Sequence, residues 1–417
     1  MLAPYRSILG LPGALAFSGL GLLARLEIAM VGLGAVLLVQ RTTGSYAIGG
    51  AVAASCGICS ALAAPFGARL ADRYGQATLL RATAPLHALT LVAIVLLAVL
   101  HAPTPWLFVA GGLAGVTQVA VGSFIRARWA LLIGGTRQLQ VAFALESVLD
   151  EVVFIAGPIA TTVIAAVWHP AIGLLLAAAT AIAGAYLLAA QRSTQPAIAT
   201  ERAKSAAQHE PGRPLLATRG MVVLVLVFFA AGGIFGSAEV TVAAVAKAQG
   251  VPAAAGVVLA LWATGSLFGG LVYGAIHWRS RMDRRFLVVL VLLALLTLPM
   301  LLVTSVPLLA IVFLVAGIAI APVITTGSTL VEALVPRHRL TEGLALVMTA
   351  LILTYALSTG VAGAIIDAYG PQAGFVVPVT AALLAAVTGA LGMWRLRPRG
   401  EPAAGPAVDP GAASSPA

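Results

Sequence analysis

The sequence predicts an all-α membrane protein of twelve transmembrane helices in two six-helix bundles, with the N- and C-termini both cytoplasmic. Three observations predict it. Of the 417 residues, 60% are hydrophobic and 9% charged, with a mean hydropathy of +1.03; a soluble domain is roughly 45–50% apolar and about 25% charged. The apolar residues fall into twelve runs, each near the length of about 20 residues that a spanning helix needs. The cations gather on one side of those runs. A chain this apolar cannot cover a water-facing surface. A soluble enzyme, a disordered chain, a collagen and a disulfide scaffold are therefore excluded.

The runs lie at 12–39, 44–66, 79–100, 105–125, 141–168, 171–190, 220–246, 253–277, 286–305, 307–330, 343–366 and 373–394. The N-terminal residues lack a small-residue cleavage site before the first run, which reads as a retained helix and not a signal peptide. Cys56 and Cys59 stand in the second run without a second pair and read as small packing residues. Only Trp168, His169 and Pro170 turn the chain between the fifth and sixth runs, and Lys247–Pro252 divide the seventh from the eighth. Of the 24 Lys and Arg, Arg41 and Lys247 lie in loops on one side and Arg25 within a span; the remaining 21 fall on the other side. Cytoplasmic loops carry the excess of Lys and Arg, so this asymmetry fixes both the orientation and the even helix count. The polar loop 191–219 separates an N-terminal bundle, 1–190, from a C-terminal bundle, 220–394. The Pro/Ala/Gly/Ser-rich tail, 395–417, is expected to be disordered. Two bundles around a central loop are the layout of duplicated transporters, with substrate bound between the halves near the midplane.

The loop after the second span reads Pro65-Phe66-Gly67-Ala68-Arg69-Leu70-Ala71-Asp72-Arg73-Tyr74-Gly75-Gln76. It resembles the signature loop of the major facilitator superfamily, G-x-L-x-D-R-x-G-R-[RK]. Leu70, Asp72, Arg73 and Gly75 match; Ala68 replaces the first Gly and Gln76 the late Arg. The equivalent place in the second half, residues 277–285, keeps only basic charge around Asp283. In span 5, Gly157-Pro158 resembles the core of a motif that the family's drug/proton antiporters carry there, although Val153 stands where a preceding Gly is expected. A proline kink beside a small residue is the alternative.

The resemblance implies that the first helix of each three-helix unit lines the cavity, the second sits between the halves and the third faces lipid. Spans 3, 6, 9 and 12 hold only Arg81, at an end, and His87 as ionisable residues. The resemblance also gives Asp72 a role. It would lock the cytoplasmic ends of the halves by facing the N-terminus of span 11, whose partial positive charge favours an anion, with Arg126 and Arg128 as partners.

Ionisable groups inside a bilayer are costly and are functional candidates by default. Arg25 and Glu27 lie in span 1, with Arg25 about 20 Å along it. Residues two apart do not share a helix face, so each needs another partner. In span 5, Glu146 and Asp150 are four apart and share a face, with Glu151 beside them. Three carboxylates crowded around one arginine are not expected to ionise fully. One of them would then exchange a proton near neutral pH, as proton-coupled transport requires. The alternative is a structural ion pair of Arg25 with Asp150 or Glu151. Glu239 in span 7 is read as a cavity or gating residue near the outer interface. Glu332 and Glu342, beside Arg337 and Arg339, read as surface pairs or gate contacts.

Three G-x-x-x-G pairs, Gly232/Gly236, Gly265/Gly269 and Gly270/Gly274, allow close helix approach and are read as sliding surfaces between the halves. Thr117-Gln118 and Thr325–Ser328 are candidate cavity linings, and Trp262 and Tyr355 candidate stacking residues.

No H-E-x-x-H, G-x-S-x-G or metal-spaced His/Cys/Asp cluster is present, and no G-x-x-x-x-G-K-[ST]. An enzyme, a metal site and an ATP-driven pump are thus disfavoured; a sensor or lipid scramblase on the same fold stays open. The expected function is secondary active transport by alternating access, driven by a proton gradient and without a cofactor. Efflux of amphipathic, drug-like compounds is favoured. Proton-linked uptake of a sugar, amino acid or organic anion is the alternative, kept open by Arg25. The expected partners are a small-molecule substrate, protons and the lipid bilayer, with no nucleic acid. The expected form is a monomer, multi-pass in a bacterial cell membrane.

Overall fold

The computed structural model describes residues 3–133, 137–196, 216, 218, 220–276, 280–335 and 340–396. Most of the central loop and of the tail, Arg337 and Arg339, and the side chains of Asp72 and Glu342 lie outside the described residues.

Among these residues, twelve helices are long and apolar enough to cross a membrane. They are span 1 (Ala14–Thr43), span 2 (Tyr46–Ala71), span 3 (Gln76–Val99), span 4 (Thr104–Ile133), span 5 (Val141–Val167) and span 6 (Pro170–Ala190). The second half holds span 7 (Met221–Ala248), span 8 (Ala254–Gly274), span 9 (Met282–Leu301), span 10 (Val306–Leu334), span 11 (Gly343–Tyr369) and span 12 (Pro371–Arg395). Odd spans run away from the end that holds the chain termini, and even spans return. We call the opposite side the far end.

The boundaries follow local chemistry. Gly44 ends span 1 with φ +79°, the left-handed conformation that glycine adopts without strain. Ser45 then caps span 2 by accepting the Ile48 N–H at 3.2 Å. Pro170 opens span 6, and Pro105 and Pro307 stand in the first turns of spans 4 and 10; a missing N–H costs nothing there. Span 4 is interrupted at residues 118–120, where Gln118 turns extended (ψ 131°). Span 10, in the same place of the second half, is interrupted at 318–319.

Lipid tails are as apolar as leucine, so packing, not the hydrophobic effect, holds such bundles together. The C-terminal half forms one core containing Phe228, Phe286, Phe313 and Phe375. The N-terminal half has two, one around Leu91 and Leu174, the other around Phe17 and Trp129. Spans 3 and 9 turn apolar side chains outward, among them Leu89 and Val288.

The three Gly pairs behave differently from the expectation. Gly232 and Gly236 pack on span 11, Gly265 and Gly269 on span 10, and Gly270 meets Ala321 of span 10 while Gly274 has no neighbour within 4 Å. These surfaces are therefore internal to the C-terminal half. The close approaches between halves are elsewhere: Gly50 against Thr359 and Gly360, Gly57 against Ala356, Gly363 against Tyr46, and Gly256 against Ile159. They put span 2 on span 11 and span 5 on span 8. A small cluster of Val36, Tyr46 and Ala53 from one half with Val240, Ala244 and Ile366 from the other seals the far end. Lys247 adds a hydrogen bond to Gln40 across it, 2.5 Å. Toward the termini, Phe66, Leu70 and Tyr74 of span 2 are exposed.

Candidate functional site

Three polar groups occupy the membrane depth. In the first, Arg25 stands between spans 1 and 5. Its Nε donates to the Gly21 carbonyl at 3.0 Å, one Nη to Asp150 Oδ1 at 2.6 Å and the other to Glu146 Oε2 at 2.6 Å. Arg126 of span 4 donates to the second Asp150 oxygen at 2.9 Å. Glu146, fully buried, also receives the Ser18 hydroxyl at 2.6 Å and the Trp129 indole N–H at 2.9 Å. Two cations and two anions balance, and every Glu146 and Asp150 oxygen has a donor. A buried pair satisfied in this way is costly to break, about 3–5 kcal/mol when one partner goes.

The second group surrounds Glu27. The residue joins two helical segments of span 1 while keeping helical angles itself (φ −58°, ψ −35°). Its carboxylate meets His87 Nε2 of span 3 at 3.3 Å and accepts from Gln118 Nε2 at 3.3 Å. Gln118 in turn receives the Ser60 hydroxyl of span 2 at 2.9 Å. The interrupted stretch of span 4 thus turns a side-chain amide toward the junction of the two segments of span 1. A cavity of about 30 Å³ beside the pair is lined in part by Glu27, Thr83, His87 and Thr117.

The third group comprises two separate carboxylates, Glu151 and Glu239, each half-buried. Glu151 turns away from Arg25 and faces span 8 of the other half, where the Ser266 hydroxyl lies 3.5 Å off. Glu239 accepts the Tyr355 hydroxyl from span 11. An ideal Cβ on Gly32 of span 1 would lie 3.6 Å from that Tyr355 oxygen, so the Glu239–Tyr355 pair borders the N-terminal half. Among the described residues, neither carboxylate pairs with a cation.

The structure therefore divides the expected cluster. Of the two ion pairs weighed, Arg25–Asp150 forms, and Arg25 adds Glu146; Glu151 is not part of it. The helix of span 7 runs on for nine residues past Glu239 to Ala248, about 14 Å at the rise of an α-helix. Arg126 and Arg128 have partners other than Asp72. Arg126 holds Asp150, while Arg128 is wholly buried and donates to Gln76 Oε1 at 3.0 Å and the Gln191 carbonyl at 2.9 Å. Gly75 takes φ +85° at the tight turn between spans 2 and 3, which explains a glycine at that motif position. Leu70 and Arg73 of the motif are exposed, Arg73 over the Tyr74 ring at 5.2 Å. Gly157 packs against Ala29 of span 1, and the Pro158 carbonyl faces Gly256 of span 8. Trp262, a candidate for substrate stacking, lies in the C-terminal core between Phe235 and Phe313, with ring centroids at 5.4 and 5.2 Å. Its apolar bulk fills space there.

Sequence reasoning missed His87, Ser18 and Trp129 as members of these groups. His87 had a signal, being the only ionisable residue inside a set of spans otherwise free of them. Ser18 and Arg25 are seven apart, and Arg126 and Trp129 three apart, spacings that share a helix face. No spacing announced which partner helix they would meet.

Two six-helix bundles with interrupted helices, and with polar groups where the halves meet, define a secondary transporter. The sequence profile of the Major Facilitator Superfamily matches residues 17–302 and 277–415. The chain belongs to that family. Among solved structures it is similar to a mutant form of the nucleoside transporter NupG, with 15% identity, a TM-score of 0.71 and coverage of 91% of this chain and 99% of that one. It is also similar to the POT family transporter PepTSo, with 11% identity, a TM-score of 0.70 and coverage of 92% and 98%. A bacterial homologue of the human lysosomal transporter Spinster, inward-facing and unoccupied, gives 13% identity, a TM-score of 0.69 and coverage of 94% and 98%. At such identities the likeness concerns the fold. No curated protein matches the chain in sequence.

Proposed function

We propose that this chain is a proton-coupled exporter of amphipathic cations that works by alternating access in a cell membrane. The observation that carries the proposal is the pair Glu151 and Glu239. Each is set at the border between the halves with a hydroxyl as partner. The charge of such a carboxylate is free to be balanced by a proton or by a cationic substrate, but not by both at once. That competition is the chemical requirement of exchange. Protonation biases one arrangement of the halves and the bound cation the other. Gly157-Pro158, seated where span 5 meets span 8, supports the antiporter side of the reading.

Proton-linked uptake of an anionic substrate would use Arg25 as its ligand. All three of its nitrogens already donate to fixed acceptors, which weighs against that alternative. The cluster of Arg25, Glu146, Asp150 and Arg126 is then framework, and coupling rests on the two isolated carboxylates.

The test uses everted membrane vesicles with an imposed proton gradient and a pH-sensitive dye. Lipophilic cations, amino acids and sugars are added in turn to wild type and to Glu239→Gln. Proton efflux triggered by a cation in wild type, and strongly reduced in the variant, is expected. Proton movement triggered only by sugars or amino acids would replace export by uptake. Equal response of the two proteins to a cation would remove Glu239 from the coupling path.

A further inference from the structure

The closed far end contains a second copy of the chemistry expected at the termini end. The helix of span 2 runs on past Ala71 and ends in Asp72-Arg73-Tyr74, followed by Gly75; the helix of span 11 ends in Asp367-Ala368-Tyr369, followed by Gly370. Leu70 two residues before the first aspartate corresponds to Ile365 before the second, and Gly363 stands four residues before Asp367. The backbone repeats as well. Gly75 has φ +85° and ψ 148°, and Gly370 has φ +91° and ψ 165°. Neither glycine could be a larger residue without strain, and each ends its helix so that the aspartate sits on the final turn.

Asp367 crosses to the other half. Its Oδ1 accepts the Tyr46 N–H at 3.0 Å, and its Oδ2 accepts the Ala47 N–H at 2.9 Å and the Ser45 hydroxyl at 2.6 Å. Tyr46 and Ala47 open the helix of span 2. Their N–H groups have no partner within that helix, and its N-terminus carries partial positive charge. A carboxylate there makes charge-assisted bonds, which are roughly twice as strong as neutral ones. Gly363 lies against the Tyr46 carbonyl, so the lack of a side chain lets span 11 come close enough for Asp367 to reach. Directly beneath, the Tyr46 and Ile366 side chains belong to the apolar seal.

We propose that Asp367 is the far-end gate residue of the transport cycle: it latches span 11 onto the first turn of span 2 and holds the far end shut. The contact has the properties of a latch. Asp367 is exposed and Ala47 half-buried, so water takes over the carboxylate's three bonds when the halves part, and opening leaves no buried unpaired charge. The apolar seal excludes water, and the aspartate sets its register. The proposal depends on alternating access and not on the choice of proton, cation or direction.

Spin labels on introduced cysteines test it, in a background with Cys56→Ala and Cys59→Ala. Labels at Thr43 and Val251 report the far end, and labels at Thr78 and Ala345 report the termini end. All four positions are exposed. Asp367→Ala is expected to raise the population with a long Thr43–Val251 distance at least twofold, with matching shortening of Thr78–Ala345. Distance distributions that superpose on wild type, in protein of wild-type melting temperature, would overturn the proposal. If the alanine variant does not fold, Asp367→Asn, which keeps the shape and loses the charge, replaces it. A shift in the same direction supports the latch, and an unchanged distribution overturns it.

Discussion

Glu146 and Glu239 are both carboxylates set deep in transmembrane helices, and their surroundings differ in kind. Glu146 is fully buried and takes fixed donors from Arg25, Ser18 and Trp129. Glu239 is half-buried and takes the Tyr355 hydroxyl. The first lies inside one bundle, among spans 1, 4 and 5, which need not separate. The second lies where spans 7 and 11 border span 1. The comparison teaches that depth alone does not mark a coupling residue. An intramembrane charge balanced by fixed counter-charges within one bundle is a joint, and one left with only a hydroxyl at the border between halves is available to a ligand.

Substitutions sharpen that contrast. The largest effect is expected from Arg25→Met, which leaves Glu146 buried without its cation. A loss of about 3–5 kcal/mol is expected, read as a collapse in folded yield or a large fall in melting temperature in detergent. A near-wild-type melting temperature would erase the distinction between joint and site. Next comes Glu239→Gln. Cation-driven proton movement should fall about tenfold, the scale of one lost charge-assisted contact, while thermal stability stays within a few degrees. Glu151→Gln should act in the same direction with a smaller loss, because its 3.5 Å contact to Ser266 is long for a hydrogen bond. Tyr355→Phe removes the Glu239 partner and keeps its carboxylate. It should change the apparent affinity for the cation by about fivefold, the equivalent of roughly 1 kcal/mol, with coupling retained. The smallest change is Ser18→Ala, expected to cost about 1 kcal/mol of stability and to leave the transport rate unaltered. A transport defect in that variant would put the Arg25 cluster back into the cycle.

The twelve spans and the division into halves were legible because a bilayer asks one simple thing of a sequence, a long apolar run, and the runs answered it. The signature loop was legible at Gly75, whose turn only a glycine takes without strain. Pairing within the site was less so. That Glu146 and Asp150 share a face follows from a spacing of four, but that Glu151 turns to the other half depends on how span 5 meets span 8. Gly232 and Gly236 show the same limit. Their spacing announces a close helix contact, and nothing in it says that the partner is span 11 of their own half. Asp367 escaped notice because the apolar run of span 11 stops at residue 366; the helix continues to Tyr369, and only the fold places that last turn against Ser45.

The central claim is that the two isolated carboxylates, and not the arginine cluster, exchange protons for a cation. The most direct measurement is proton release from purified protein in lightly buffered detergent on addition of a lipophilic phosphonium cation. Wild type should release protons, and the double variant Glu151→Gln, Glu239→Gln should release none while remaining folded. Release from the double variant equal to that from wild type would contradict the account and return the search to Glu27, His87 and Asp150.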